Sequence, residues 1–266
     1  MKHWVLFLLL ISARAGDAPL FPDKNLEKAV RQQVYEKRNN DKPIVEADVA
    51  NISTIDGKEM GITNLAGLEK CVSLASLDLG KNRISDLTPL KDLKIVQYLV
   101  LSENQIEDIT PLGGMKSLQY VELSHNKVKN IGALTNCTNM ASIYVSQNQI
   151  TDLSPAFQLK RLATLYADGN KLKSIEGINQ LRFLSSLSLN DNEITDLKPL
   201  IGMTGLYSLY LEKNKIRDLQ PLVEMIHKDT DRRLSFLKLY LKGNPLSGAA
   251  KSQAKELEDF GMRVHR

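Results

Sequence analysis

Apolar residues recur along the chain in one fixed frame, which reads LxxLxLxxNxIxxI and first appears at Leu74, Leu77 and Leu79. Around Leu77 the apolar and polar positions alternate, which predicts a short strand with one buried side. An asparagine marks each copy of the frame, and we call this set the asparagine ladder. Its members recur every 22 residues and are Asn82, Asn104, Asn126, Asn148, Asn170, Asn192 and Asn214.

A fixed period of this length with this frame is typical of a leucine-rich repeat. Each coil can bury its apolar stripe only against the neighbouring coils, so stacked coils pair their strands into a parallel sheet. We therefore predict an α/β solenoid, a curved horseshoe with the parallel β-sheet on its concave face. The ladder asparagines are expected to bond backbone groups that each turn leaves unpaired in the interior.

The two ends of the repeat array need caps, because an open solenoid exposes its core. We assign residues 51–246 to about eight coils, with Asn244 as the last member of the asparagine ladder and eight inserted residues within 223–233 lengthening an outer helix. Residues 16–50 are expected to form a helical N-terminal cap. Its apolar residues lie at helical spacing and predict an amphipathic helix over 21–37. Residues 247–266 are expected to form a C-terminal cap, with a capping helix over 251–260.

Residues 1–15 have the features of a cleaved signal peptide. Lys2 precedes an apolar run at 4–11, and Ala13 and Ala15 supply the small residues that a signal peptidase reads. The run is shorter than the ~20 apolar residues that span a bilayer. We expect cleavage after Ala15 and a secreted or periplasmic mature chain, monomeric and not inserted in a membrane.

The outer side of the coils is predicted to consist of short turns. Prolines lie seven residues after the ladder asparagine in five coils, and Thr88, Thr110 and Ser154 precede three of them as predicted N-caps. A row of aspartates lies four residues after the asparagine, at Asp86, Asp108, Asp152, Asp196 and Asp218. Such a row could attract Ca²⁺ or serve as turn chemistry. The row is interrupted at Asn130 and Ser174, which favours the turns, and we assign no metal site.

Composition and motifs offer little support for other functions. The net charge is only +4 and the two signs are interleaved, which argues against a nucleic-acid binder. No GxSxG, Walker A, HExxH or CxxC motif is present, and only four histidines occur. We therefore expect no catalysis and no cofactor. Cys71 and Cys137 occupy core positions three coils apart, too far for a disulfide.

With FPDKNLEKAVR at 21–31, GITNLAGLE at 61–69 and the repeated NxIxDLxPL, the chain resembles the internalin-like class of bacterial leucine-rich-repeat proteins. The resemblance covers nearly all of the mature chain. It implies a repeat scaffold whose specificity lies in variable residues of the inner face. We recognise no immunoglobulin-like domain or wall anchor after the repeats, so host-cell adhesion is not part of the expectation.

Six of the eight tyrosines fall at strand positions that point away from the core. We call this set the tyrosine file; its members are Tyr98, Tyr120, Tyr144, Tyr166, Tyr210 and Tyr240. The first four are expected to form a diagonal track, because Tyr120 and Tyr144 are offset by two residues on neighbouring strands. Three acidic residues are expected to flank the file as further partner-binding residues, namely Glu122, Asp168 and Glu212. Lys238 and Lys242 lie at its C-terminal end.

Two interpretations of these tyrosines remain open. Tyrosine suits strands, and cross-strand aromatic pairs stabilise sheets. It also supplies rigid amphipathic area and is enriched at binding hot spots, whereas Thr or Val would satisfy strand propensity equally well. We therefore predict a binding module that recognises a protein partner through a tyrosine-lined concave face. A glycan ligand stacked on the rings and a structural envelope component without a ligand are the alternatives.

Overall fold

The computed structural model describes residues 18–266, so the predicted signal peptide lies outside the described residues. Within them, ten three-residue strands form one parallel sheet in chain order. The strands are β1 Thr54–Asp56, β2 Ser76–Asp78, β3 Tyr98–Val100, β4 Tyr120–Glu122, β5 Ser142–Tyr144, β6 Thr164–Tyr166, β7 Ser186–Ser188, β8 Ser208–Tyr210, β9 Lys238–Tyr240 and β10 Arg263–His265. The α/β solenoid horseshoe predicted from the repeat frame is confirmed.

The core follows directly from the frame. The middle residue of each strand from β1 to β9 points inward and is buried, as Leu77 and Leu99 are, and these two residues are paired in register on neighbouring strands. The residues on either side of each middle residue point to the opposite face of the sheet. Burying each such leucine contributes roughly 1.5–3 kcal/mol. The apolar stripes of successive coils form one continuous cluster along the molecule.

Each ladder asparagine joins two coils. The Nδ2 of Asn104 donates to the carbonyls of Leu101 and Ser102 in its own turn and to that of Leu79 in the preceding coil, at 3.0–3.1 Å. Its Oδ1 accepts the N–H of Ile84, 2.9 Å away, from the preceding coil. The same arrangement recurs at Asn82, Asn126, Asn148, Asn170, Asn192 and Asn214, and with two carbonyls at Asn244. The carboxamide thus satisfies buried backbone groups on both sides of the junction.

The residue before each ladder asparagine has a left-handed backbone, a feature that the repeat frame did not reveal. Two of these residues, Gly169 and Gly243, are glycines, for which such a backbone carries no steric cost. In the other coils it is Lys81, Glu103, His125, Gln147, Asp191 or Lys213. This left-handed residue turns the chain sharply. The turn allows the side chain of the next residue, the ladder asparagine, to donate to the carbonyls two and three residues before it.

The N-terminal cap contains α1 Lys24–Arg31 and the single turn α2 Glu46–Val49. The prediction of one helix over 21–37 is wrong in its extent. The Arg31 guanidinium donates to the carbonyls of Lys37, Asn40 and Lys42 at 2.9–3.2 Å, which holds the following segment in turns. At the other end, the Asp23 side chain accepts the N–H groups of the first turn and so fixes the start of α1.

The C-terminal end combines two helices with a strand that the sequence did not predict. α3 Gln220–Lys228 lies on the outer side of the coil that carries the extra residues, and α4 Ala250–Phe260 follows the last coil. β10 then pairs in parallel with β9 and extends the sheet by one strand. The expectation of a purely helical cap is therefore incomplete. No helix between residues 18 and 266 is both long enough and apolar enough to cross a membrane.

On the outer side, the coils before α3 carry short 3-10 turns, and the capping of these turns differs from the prediction. Thr88 is the first residue of its turn and Leu87 is the N-cap, without a side-chain bond, so the predicted N-cap role of Thr88, Thr110 and Ser154 is wrong. Instead, Asp86 Oδ1 accepts the Thr88 N–H at 2.8 Å. Bonds from Thr88 hold the pKa of Asp86 below its usual value. The same backbone bond is made by Asp108, Asp152, Asp196 and Asp218.

The two cysteines are core residues. Cys71 and Cys137 are fully buried and unpaired, as expected from their positions in the frame. Burial raises the pKa of the Cys71 thiol to about 12 and that of Cys137 to about 11. Both thiols are therefore protonated at neutral pH.

Candidate binding face

The tyrosine file lies on the face of the sheet that points away from the core, which we call the solvent face. Tyr98 and Tyr120 are the first residues of β3 and β4, and these two positions are paired in register. Tyr144 and Tyr166 are the last residues of β5 and β6 and are also paired. Tyr210 and Tyr240 are paired in the same way on β8 and β9.

The rings of the first four members touch one another in sequence. Tyr98 and Tyr120 are stacked with ring centroids 4.9 Å apart. Tyr120 and Tyr144 are 5.2 Å apart and tilted by 41°, although Tyr120 is in register with Ser142 rather than with Tyr144. Tyr144 and Tyr166 meet edge to face at 5.1 Å. The ring contacts therefore continue from Tyr120 to Tyr144, although these two residues are offset by two positions along their strands.

The file continues across β7, which carries no aromatic residue. Tyr166 on β6 and Tyr210 on β8 meet with centroids 6.3 Å apart, and Ser188 between them is only 3% exposed. Tyr210 and Tyr240 are stacked at 4.6 Å, and Tyr240 stacks on His265 at 4.5 Å. His265 is thus a seventh ring, which sequence reasoning missed because it lies on the unpredicted strand β10.

Most rings of the tyrosine file are only partly exposed. Tyr98, at the end of the file, is 52% exposed, whereas the other five tyrosines are half-buried because neighbouring rings cover one another. Aromatic pairs of this kind contribute about 0.5–1.5 kcal/mol each beyond the area that they bury. Truncating a tyrosine within the file will therefore cost some stability.

The environments of Tyr120 and Tyr144 keep these two phenols neutral. Partial burial, aided by the nearby Glu122 carboxylate, raises the pKa of Tyr120 to about 12. Burial also raises the pKa of Tyr144, with smaller contributions from Tyr166 and Glu122. Neutral hydroxyls can both donate and accept hydrogen bonds. The face thus combines apolar ring surface with hydroxyl groups suited to polar contacts.

The three acidic residues expected to flank the file have different surroundings. Glu122 Oε1 accepts the N–H of Ser124 at 2.7 Å. The Asp168 carboxylate is already used within the protein. Its Oδ1 accepts the Ser188 hydroxyl at 2.6 Å and the Asn190 N–H at 2.7 Å. Burial nevertheless raises the pKa of Asp168. Glu212 is half-buried two residues after Tyr210, and its N–H donates to Asn190.

These bonds belong to a second polar column, parallel to the asparagine ladder. The side chain two residues before the ladder asparagine accepts the N–H of the equivalent residue in the next coil. The acceptors are Ser124, Ser146, Asp168 and Asn190, with distances of 2.7–3.1 Å. This column was not predicted from the sequence, because the residue type at this position changes from coil to coil. Asp168 is therefore assigned to the junction between coils rather than to a free position on the face.

A serine and a carboxylate lie in contact beneath the solvent face. The Ser188 hydroxyl bonds the Asp168 carboxylate, which places a nucleophile beside a base, but Ser188 is buried beneath the rings of Tyr166 and Tyr210. Within residues 18–266, no three His, Cys, Asp or Glu side chains are grouped to hold a metal ion. What the face presents is ring surface, hydroxyls and charged groups.

Comparison with known proteins supports the repeat assignment. The leucine-rich-repeat family model matches residues 72–128, and the model for two copies of the repeat matches 116–156 and 182–224. Among solved structures, the chain is similar to internalin C2 from Listeria monocytogenes, with 29% identity, a TM-score of 0.77, and coverage of 84% of this chain and 95% of that one.

Two further solved structures are similar in fold alone. Internalin F from Listeria monocytogenes is 22% identical, with a TM-score of 0.50 and coverage of 93% of this chain and 92% of that one. A leucine-rich-repeat protein from Leptospira interrogans is 20% identical, with a TM-score of 0.62 and coverage of 79% and 59%. No curated protein matches the chain by sequence.

Three observations indicate the same fold. They are the repeat frame, the asparagine bonds between coils and the similarity to internalin C2 over most of both chains. The fold is that of a protein-interaction module. The chain is an internalin-like leucine-rich-repeat protein.

Proposed function

We propose that this chain is an exported, non-enzymatic module that binds a protein partner through the tyrosine file. The observation that carries the proposal is the continuity of the aromatic surface. Seven rings from Tyr98 to His265 lie in sequence, with centroids 4.5–6.3 Å apart, across eight of the ten strands. Tyrosine supplies rigid contact area at low entropic cost, as binding faces require.

Strand propensity accounts less well for this arrangement. A preference for strands acts on each residue and its direct neighbours. It gives no reason for Tyr166 and Tyr210 to meet over a strand that carries only small side chains on this face. A contiguous recognition surface requires that junction, because a bulky residue at Ser188 would separate the two halves of the file.

Export is the second part of the proposal, and it depends on residues outside the described part of the chain. Lys2, the apolar run at 4–11 and the Ala13-Arg14-Ala15 site are the features of a cleaved signal peptide. A partner would then be a secreted protein or a component of the cell envelope.

A capture experiment tests the proposal. The mature chain is immobilised and exposed to envelope and secreted proteins of its own host, with a Tyr144→Ala, Tyr166→Ala double variant as the comparison bait. A protein retained by the wild type and lost by the folded variant supports the proposal. Binding on a glycan array without protein capture favours the glycan alternative. No capture by either bait favours a structural role without a ligand.

A further inference from the structure

The solvent face ends in a cluster of cations beside the last rings of the tyrosine file. Lys238 and Lys242 lie on either side of Tyr240, because Leu239 and Leu241 between them are buried. On β10, Arg263 is in register with Lys238, and His265 is in register with Tyr240. We call Lys238, Lys242 and Arg263 the basic end of the face.

No member of the basic end forms an ion pair with a carboxylate in the described part of the chain. Across residues 18–266, none of its three members has a carboxylate oxygen within 4.0 Å, whereas the adjacent Arg266 is paired with Glu258. The Lys238 ammonium lies 4.8 Å from the centre of the Tyr207 ring, a cation–π contact rather than an ion pair. Lys238 and Arg263, which are neighbours in register, repel each other, and a bound anion would relieve that repulsion.

The opposite end of the same face is acidic. Asp56 and Asp78 are in register on β1 and β2, and Lys58 lies two residues after Asp56. Glu122 follows on β4. From β2 to β9 the face spans about 34 Å, at ~4.8 Å per strand. The two ends of the face therefore carry opposite charges, and Glu212, on the coil next to Lys242, is the acidic residue nearest the basic end.

We propose that the basic end binds the acidic end of an extended protein segment whose apolar side chains lie on the tyrosine file. The inference rests on the proposed function and names the chemistry of the partner. Carboxylates would pair with the three cations, and such complementarity fixes the orientation of a ligand. A uniformly anionic chain, such as a sulfated glycan or a nucleic acid, fits less well, because it would meet Glu122, Asp78 and Asp56 further along.

The test uses two synthetic peptides that share a tryptophan- and leucine-containing half. One carries four glutamates at its end and the other carries four lysines. Binding is measured by fluorescence anisotropy for the wild type, for Lys238→Glu, Arg263→Glu, and for the control Lys116→Glu, Lys160→Glu. The control changes the net charge equally, and both of its lysines are exposed on turns away from the solvent face. Circular dichroism establishes that all three proteins are folded.

We expect the glutamate peptide to bind the wild type and the control with equal affinity. Its affinity for the Lys238→Glu, Arg263→Glu variant should be lower by a factor of about ten or more, because charge-assisted contacts are lost. Any binding of the lysine peptide would use the acidic end and should not be weakened in the Lys238→Glu, Arg263→Glu variant. Failure of the wild type to bind the glutamate peptide overturns the inference, as does equal weakening by both variants. Stronger binding of heparin oligosaccharide, or of phosphatidylserine vesicles, through the same lysines would assign the basic end to another class of ligand.

Failure of this inference can be distinguished from failure of the proposed function. The protein captured by the immobilised chain is offered to the Lys238→Glu, Arg263→Glu variant. If capture is unchanged there but is lost with Tyr144→Ala, Tyr166→Ala, the basic end is excluded and the tyrosine file remains the binding face.

Discussion

The rings of Tyr166 and Tyr210 meet with centroids 6.3 Å apart although their strands, β6 and β8, are not neighbours. Ser188 on the intervening strand lies beneath them and is 3% exposed. The contact depends on the small size of that side chain. Without it, the aromatic surface would divide into two groups on either side of β7.

Replacing Ser188 tests this dependence. Ser188→Ala removes the bond to Asp168 but keeps the space, so we expect a stability loss of about 1–3 kcal/mol and unchanged affinity for the captured partner. Ser188→Leu removes the same bond and also fills the space between the rings. We expect it to weaken binding by about tenfold or more. Calorimetric titration of both variants makes the comparison, and equal affinities would show that the junction is not used.

The asparagine ladder makes a prediction about stability. Asn148 bonds the Val128 N–H and three carbonyls, so Asn148→Ala leaves several buried backbone groups unpaired. We expect a loss of at least ~1–3 kcal/mol in the free energy of unfolding. Gln149→Ala, one residue along, removes a side chain that lies outside the ladder and should stay within about 0.5 kcal/mol of the wild type. Urea denaturation measures both, and similar losses would contradict the role assigned to Asn148.

The raised pKa of Asp168 predicts how stability changes with pH. Because burial raises the pKa in the folded state, the folded protein binds this proton more tightly than the unfolded chain does. The stability gained by protonation is therefore present below the ordinary carboxyl pKa and is lost as the pH rises through the raised value. Asp168→Asn keeps an oxygen acceptor for Ser188 and Asn190 but has no charge.

We accordingly expect the free energy of unfolding of Asp168→Asn, minus that of the wild type, to be largest at about pH 7. This difference should become smaller on acidification to about pH 3. Urea denaturation at both pH values provides the measurement. Glu107→Gln, at an exposed carboxylate, is the control for loss of charge. The same pH dependence in both variants would rule out a special environment at Asp168.

The sequence predicted most of the fold because each coil repeats one solution to the same packing problem. Leu77 and Asn82 recur at fixed spacing, so their roles could be inferred from periodicity alone. β10 could not be inferred, because Arg263-Val264-His265 matches no part of the frame and becomes a strand only by pairing with β9. The end of α1 at Arg31 depends likewise on carbonyl contacts that no local pattern records.

The candidate site was predicted in position but not in its contacts. Placing Tyr98 through Tyr240 on one face needed only strand alternation. The contact between the Tyr166 and Tyr210 rings over Ser188 depends on the directions of the side chains. The hydrogen bonds of Asp168 to Ser188 and Asn190 depend on residues of the neighbouring coil. Neither is visible in a single repeat.

Export predicts a defined mature N-terminus. If residues 1–15 are removed as expected from the Ala13-Arg14-Ala15 site, the protein recovered outside the cytosol of its own host begins at Gly16, within a residue or two. N-terminal sequencing or intact mass determines this. Recovery of the chain from the cytosol with Met1 in place would contradict export.

The central claim, that the tyrosine file is the binding face, is tested most directly by the dissociation constant of the captured partner for the Tyr144→Ala, Tyr166→Ala variant. Tyr35→Ala, in the N-terminal cap at a tyrosine that is 78% exposed, is the control. We predict that the double variant unfolds cooperatively at somewhat lower stability and binds at least ~30-fold more weakly, as for the loss of a hot spot, while Tyr35→Ala binds like the wild type. Wild-type affinity in the folded double variant would contradict the claim and leave sheet stability as the role of these rings.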